Sequence, residues 1–279
     1  MKYYYFLFFA LLLCLFSAPA YSQSGDDEDA TVYLLKSDFT GAKNSKEATY
    51  FLQVIKEDDT TNICRYYNSY GSMLRQEVFR DTNFSIPHGR FCWYNAKGNL
   101  DSTGILYNGH KDGTWGYFND TLGTTLSIVY DADRIIEKRD YVTNIYTDEN
   151  GKTSDLKQKE KTERDAFVAD SIAGKQQLKE ATFNNDIKKW QRYLEKKLKV
   201  PERLITVKGK GNYTVLVCFL INKEGKTDDI FLLHSCEWSA DAKVFHLIKD
   251  SPLWQPATRN GIAVYYRQKQ SITLQVNEE

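Results

Sequence analysis

Residues 213–264 constrain this chain more than any other stretch. Tyr213–Ile221 is strongly apolar, with Tyr213, Val215, Val217, Phe219 and Ile221 on one face by period-two alternation. Leu216, Cys218 and Leu220 make the second face apolar too, so a strand here needs cover on both sides. The turn Asn222-Lys223-Glu224-Gly225-Lys226 follows, with Gly225 suited to the left-handed position of a short hairpin loop. The returning strand, Ile230–His234, places Ile230, Leu232 and His234 on one face and Phe231 and Leu233 on the other. Ser239 is placed to cap a helix over Ser239–Lys249, with Asp241 in its first turn. Ala242, Phe245 and Leu247 or Ile248 supply its buried stripe, and Pro252 ends it. Trp254-Gln255-Pro256-Ala257 then crosses to a turn at Asn260-Gly261, and a last strand runs from about Ile262 to Val276.

Upstream of this pattern, Asn184 or Asn185 can cap a further helix, and Asp186 suits the positive end of its dipole. Ile187, Trp190, Leu194 and Leu198 form its apolar stripe, and Pro201 stops it.

The 279 residues suffice for one large or two small domains with cores of their own. Basic and acidic side chains balance at 37 each, which argues against a general nucleic-acid binder with its basic footprint. The balance is uneven along the chain. Asp26-Asp27-Glu28-Asp29 is acidic, whereas residues 151–200 carry about five more Lys and Arg than Asp and Glu. The plain reading of both is a solvated tail and a solvated helix face.

Lys2, an apolar run from Tyr3 to Phe16 and the small residues Ala20 and Ser22 describe a secretory signal peptide over residues 1–22. The run is short for a membrane span, which needs about 20 apolar residues; an uncleaved anchor in the inner membrane is the alternative. Cys14 lies inside the apolar run and does not fit a lipid-attachment site. Past the leader, Cys64, Cys92, Cys218 and Cys236 form no CxxC, and free or buried thiols are the plainer reading.

Residues 23–45 read as a flexible acidic segment. Residues 46–141 are rich in Tyr, Phe and Trp cut by Gly and Asn at short intervals, the signature of many short strands. A unit recurs there. His88-Gly89-Arg90-Phe91-Cys92-Trp93-Tyr94-Asn95 matches Asp112-Gly113-Thr114-Trp115-Gly116-Tyr117-Phe118-Asn119. A degenerate copy, Arg65–Leu74, is echoed by Trp93–Leu100, and Asn108-Gly109 supplies a tight turn. Hairpin units of this size cannot bury an aromatic face alone, so copies stack into an elongated sheet. Over roughly residues 60–135 the pattern resembles the bacterial MORN-repeat variants. Residues 142–182 are charged and poor in large apolar groups, and read as a charged helical linker.

Over roughly residues 186–275 the ordered set Trp190…Leu194…Val200-Pro201…Val215-x-Val217-x-Phe219…Glu224-Gly225-Lys226…Ser235…Pro252-x-Trp254-x-Pro256…Asn260-Gly261 resembles the C-terminal domain of TonB-type envelope proteins. Pro201, Gly225, Trp254, Pro256 and Gly261 are its structural signature positions. The resemblance implies a non-enzymatic domain over residues 183–279 that adds a short extended segment of an outer-membrane receptor as a strand at its sheet edge. Carried onto this chain, the docking edge is the last strand, at Tyr265, Tyr266, Arg267, Gln268, Lys269 and Gln270. Polar groups there equally fit an edge strand that merely avoids aggregation. An energy transducer also needs a retained membrane helix and a long linker, often Pro-rich; here the leader looks cleavable and prolines are few.

No enzyme motif competes. His88, His110, His234 and His246 lack metal-ligand spacing, and nucleophile-elbow, P-loop and dinucleotide fingerprints are absent. His234 and His246 could be neighbours within the C-terminal unit, as a plain core or surface pair. Gly209-Lys210-Gly211 precedes a strand, the wrong context for phosphate. No catalytic residue, metal or cofactor is expected.

The expected fold is therefore α+β: an N-terminal antiparallel β-hairpin repeat sheet, a charged helical linker, and a C-terminal small α/β sandwich in the order helix, hairpin, helix, strand. The expected function is an exported, periplasmic protein whose C-terminal domain binds outer-membrane receptor or other envelope segments in support of TonB-dependent transport. The alternative is a periplasmic scaffold that uses its repeats without energy transduction.

Overall fold

The computed structural model describes residues 30–172, 177–183 and 186–277. The leader 1–22, with Cys14, the acidic tract Asp26–Asp29 and the cap candidates Asn184 and Asn185 lie outside the described residues.

Strands follow one another with turns between them, and each pairs with the next. They are β1 (Ala30–Leu35), β2 (Tyr50–Lys56), β3 (Asn62–Asn68), β4 (Met73–Phe79), β5 (Gly89–Tyr94), β6 (Leu100–Tyr107), β7 (His110–Asn119), β8 (Gly123–Asp131), β9 (Arg134–Asp140), β10 (Ile145–Asp148) and β11 (Thr153–Asp155). Together they form one eleven-stranded antiparallel meander in chain order. Its turns are chemically alike. Asn95 Oδ1 accepts the backbone N–H groups of Lys97 and Asn99, and Asp148 Oδ1 those of Asn150 and Lys152. Such side chains fold the backbone locally and so fix the register of each hairpin.

The remaining elements are α1 (Leu156–Ile172), β12 (Leu178–Lys179), α2 (Ile187–Lys197), α3 (Glu202–Lys208), β13 (Gly211–Ile221), β14 (Thr227–His234), α4 (Trp238–Lys249), β15 (Ala257–Arg259), β16 (Ile262–Val264) and β17 (Tyr266–Val276). They add two small antiparallel sheets, ordered β12-β15-β16 and β14-β13-β17.

This architecture overturns the expected fold class. The chain is mostly antiparallel β, 49% strand against 19% helix, and is dominated by the eleven-stranded sheet. No small α/β sandwich behind a charged helical linker is formed. Two physical causes account for the difference. First, the sheet does not stop near residue 141: β10 and β11 extend it to Asp155, and α1 returns onto that end. Leu156 is buried there, and Arg139 binds Glu163 of α1. It also begins earlier, because Ala30–Leu35 pairs fully with β2 inside the stretch read as flexible. Second, the C-terminal elements do not close a core of their own. Tyr67, Met73, Cys92, Tyr94 and Leu100 of the meander are buried in the same cluster as Val217, Phe219, Leu232, Phe245 and Ile248. The apolar second face of β13, read as needing cover, shares that cover with the meander: Phe231, opposite Cys218, stacks under the guanidinium of Arg90.

Alternation along β5 shows how one strand serves both faces. Cys92 and Tyr94 enter the shared core, while Phe91 and Trp93 join an aromatic row on the opposite face. That row runs Phe79, Phe91, Trp93, Trp115 and Tyr130, with successive ring centroids 5.9–6.3 Å apart.

Helix ends also differ from expectation. α2 ends at Lys197 with Leu198 as its C-cap, ahead of Pro201, which is instead the N-cap of α3, a helix the sequence did not announce. The α4 cap is Glu237, whose carboxylate accepts the N–H of Ser239; Ser239 itself lies inside the helix. The last strand is broken at Tyr265 into β16 and β17.

Candidate functional site

The edge strand β17 pairs along its whole length with β13, from Gly211↔Val276 to Ile221↔Tyr266. Its other side has no partner strand among the described residues. Alternation makes it two-faced: Ile272, Leu274 and Val276 are buried, and Lys269, Ser271, Thr273 and Gln275 are exposed. The result is an open backbone edge of eleven residues on a strand anchored by its own apolar face.

The six candidate docking residues do not form one side-chain surface. Tyr266, Gln268 and Gln270 share the face that α2 covers, where Gln270 Oε1 accepts from the Trp190 indole at 3.2 Å. Tyr266 packs on the shared core, and burial raises its hydroxyl pKa. Arg267 lies on the opposite face and donates to the Asp229 carboxylate at 2.6 Å and to its carbonyl at 3.1 Å. Lys269 is exposed beside it, and Tyr265, 58% exposed, sits at the break before β17. What the five from Tyr266 to Gln270 have in common is the backbone edge.

The signature positions are brought together through the backbone. The Trp254 N–H donates to the Gly225 carbonyl at 2.8 Å, and a Cβ on Gly225 would lie 2.1 Å from the Trp254 carbonyl oxygen. The Trp254 ring packs against Phe183, Trp190 and Phe219. Pro256 leads into β15 ahead of the buried Ala257, and Asn260-Gly261 make the two-residue turn to β16. Pro201 is the N-cap of α3.

Behind the edge lies a polar joint that the sequence reading missed. Asp229 holds two arginines: Arg90 of β5 through Nε and an Nη, both at 2.6 Å, and Arg267 of β17. Asp229 adopts a positive φ of 43° within an irregular stretch of β14, so the backbone is bent to aim this carboxylate. A second contact joins turn to loop. The Ser235 N–H donates to the Gly98 carbonyl at 2.9 Å, and the Met73 N–H donates to Ser235 Oγ at 2.7 Å. Ser235 Oγ in turn donates to Asp241, which also accepts the Cys236 N–H. Asp241 is fully buried, and desolvation pushes its pKa up to about 7 against the hydrogen bonds from Ser235 and Cys236. A third contact is Arg203 of α3, which binds the fully buried Glu237 at 2.8 Å and the Ser69 carbonyl at 2.7 Å. The visible hint was a polar pair, Asp228-Asp229, opening an apolar strand.

No family model, curated protein or solved structure matches this chain.

The other candidates fall into place individually. His234 Nδ1 lies 2.6 Å from Asn99 Oδ1, whereas His246 lines a separate groove, so the two histidines have different surroundings. That groove, of about 1120 Å³, runs between β1, β2 and α2–α4 and is walled by Val32, Gln53, Tyr193, Arg203 and Trp238. His110 Nδ1 is 2.7 Å from Asp133 and His88 Nδ1 is 3.2 Å from Asn108, both at hairpin turns. Cys64, Cys92 and Cys218 are buried, Cys236 is half-buried, and all four are free. Burial pushes the Cys92 thiol up to about 11, which keeps it protonated and unreactive. Ser235 and Asp241 resemble half of a catalytic pair, but both are fully buried and the hydroxyl already accepts from Met73. Among the described residues no group of three or more His, Cys, Asp or Glu is placed to hold a metal ion, and no helix is long and apolar enough to cross a membrane.

Proposed function

We propose that this is a non-enzymatic cell-envelope protein that captures an extended segment of a partner, an outer-membrane receptor or another envelope protein, as a strand added along β17. The observation that carries this reading is the open edge of β17, eleven residues long, rigidly backed by β13 and the shared core. Strand addition draws affinity from main-chain hydrogen bonds and specificity from alternate side chains. Lys269 and Tyr265 are the exposed side chains placed to choose among partners. The TonB-like order of motifs over residues 186–275 supports the same conclusion and points to export.

Titration calorimetry of the full chain with N-terminal peptides of outer-membrane receptors tests the reading. Saturable binding is expected, lost when prolines at alternate peptide positions remove its main-chain donors. Absence of binding to every receptor-derived segment would sink it. A cysteine at position 269 should also form a disulfide with a cysteine-bearing peptide in one register only.

The shared core favours a second reading, that of a scaffold whose repeat sheet makes the specific contact without energy transduction. Deleting the repeats cannot separate the two, because Tyr67, Met73 and Tyr94 belong to the core of the C-terminal elements. Substitutions at exposed positions of β8 and β9, strands that contribute no residue to that core, are the cleaner probe.

A further inference from the structure

The two longer solvent-facing helices treat their charges in opposite ways. On α1, Lys159 pairs with Glu163 and Lys161 with Asp165, each at i,i+4, the usual arrangement of a solvated helix. On α2, Lys188, Arg192, Lys196 and the following Lys199 are spaced four, four and three residues apart and are all exposed. Like charges at this spacing repel and weaken a helix. From 187 to 199 six basic residues face one carboxylate, Glu195, in a chain whose net charge is zero. At the cap, Asp186 lies 3.8 Å from Arg192.

The opposite face of α2 is committed. Trp190 is 2% exposed, and Tyr193, Leu194 and Leu198 pack on the shared core. The helix therefore cannot turn an apolar face outward, and contact through its basic stripe is electrostatic. Its eleven residues offer a straight face of about 16 Å. At its N-terminal end, through Phe183 against Trp190, lies the β12-β15-β16 sheet. There Leu178 and Ile262 are 47% and 73% exposed, alongside the exposed Lys179 and Arg259. A basic stripe, with exposed aliphatic and basic residues on the sheet next to its helix, fits a phosphate-bearing lipid surface. Polynucleotide would use the charge and leave the aliphatic residues idle.

We propose that α2 is a docking face for an anionic phospholipid bilayer, held reversibly by Lys188, Arg192, Lys196 and Lys199. This goes beyond partner-strand capture on β17 and does not depend on it. A peripheral contact of this kind orients the chain on a membrane without any span.

The test is co-sedimentation of the full chain with phosphatidylcholine vesicles, with and without phosphatidylglycerol, at low and high salt. Wild type and variants run side by side, so any contribution of the apolar run 3–16 is common to all. Binding should require phosphatidylglycerol and fall with salt. Lys188→Gln with Lys196→Gln should weaken it about twenty-five-fold, about fivefold per charge, while Lys188→Arg with Lys196→Arg retains it. Lys157→Gln with Lys161→Gln on α1 removes as much charge and should leave binding unchanged. Because neutralising like charges relieves repulsion, the α2 variant should melt no lower than wild type, which separates lost binding from lost folding. Equal binding to neutral vesicles, equal weakening by the α1 pair, or tight binding of polynucleotide in place of vesicles overturns the proposal.

Discussion

Replacing Gly98 by Ala tests whether the repeat sheet and the C-terminal elements are one cooperative body. Gly98 has a φ of +83°, and its added Cβ would lie 2.1 Å from the Ser235 carbonyl oxygen. The left-handed backbone alone costs a non-glycine residue about 1 kcal/mol. To clear the clash, the loop before α4 must retreat, breaking the Ser235–Gly98 hydrogen bond and withdrawing Ser235 Oγ from the Met73 N–H. A lost bond costs about 1 kcal/mol, and a buried donor left unsatisfied about 1–3 kcal/mol. The total is about 3–5 kcal/mol, or a fall in Tm of about 10 °C for a chain of this size. Gly109→Ala is the matched control: its φ is +85°, but nothing lies within 4 Å of the added Cβ, so only the backbone cost of about 1 kcal/mol applies. Urea unfolding followed by fluorescence reports both regions, since Trp93 and Trp115 lie in the sheet and Trp190, Trp238 and Trp254 beyond it. A single transition should shift for Gly98→Ala with unchanged slope. Equal effects of the two substitutions, or two separate transitions, would refute the shared-core reasoning.

Two further outcomes follow from the same joint. Asp241 has its folded pKa raised to about 7 from 3.8, so the folded state holds the extra proton and stability declines as pH rises from about 4 to 7. Relative to Asp241→Asn, wild type should lose on the order of 4 kcal/mol over that window and nothing more above it; a pH-independent difference in unfolding free energy would contradict this. Arg203→Ala leaves the fully buried Glu237 carboxylate without its ion partner and should destabilise by about 3–5 kcal/mol, read as a lowered thermal midpoint. Arg203→Ala combined with Glu237→Gln should recover part of that loss, because the stranded charge is removed; no recovery in the double variant would show that packing of Arg203 against Phe51 and Trp238 dominates.

What the sequence disclosed was local. Gly225 and the pairs Asn108-Gly109 and Asn260-Gly261 announce backbone demands that few other residues meet, and each of these glycines has the positive φ of its turn. The span of β13 was readable because an unbroken apolar run admits few alternatives. What stayed hidden was tertiary. Glu237 is a weak helix cap by type and serves here because Arg203, 34 residues away, fixes its carboxylate. Tyr67 and Tyr94 belong to the aromatic repeats expected to bury their faces by stacking on one another, and nothing local says that they share a core with Leu232 and Phe219. Arg90 and Asp229 stand 139 residues apart, each an ordinary polar residue until the fold pairs them. Fold class failed for this reason: local periodicity delimits elements, and only long-range burial decides whether two groups of elements share one core.

That shared core bears on the proposed docking edge. A strand edge on a small independent domain can adjust to its partner by breathing of the whole domain. Here β17 is braced through β13 by the meander, and Arg267 on its outer face shares Asp229 with Arg90 of β5. On the proposed reading, a partner strand would meet a preorganised edge and lose little to ordering it, which favours affinity from few residues. The same bracing ties the edge to the sheet. A partner residue carrying a carboxylate opposite Arg267 would compete with Asp229 for its guanidinium, and the loss would be felt at Arg90, whose side chain is largely buried against Phe231. Arg267→Ala separates the roles: if the edge binds through its backbone, partner affinity persists while stability falls modestly, and if affinity vanishes with the fold intact, Arg267 is itself the recognition contact.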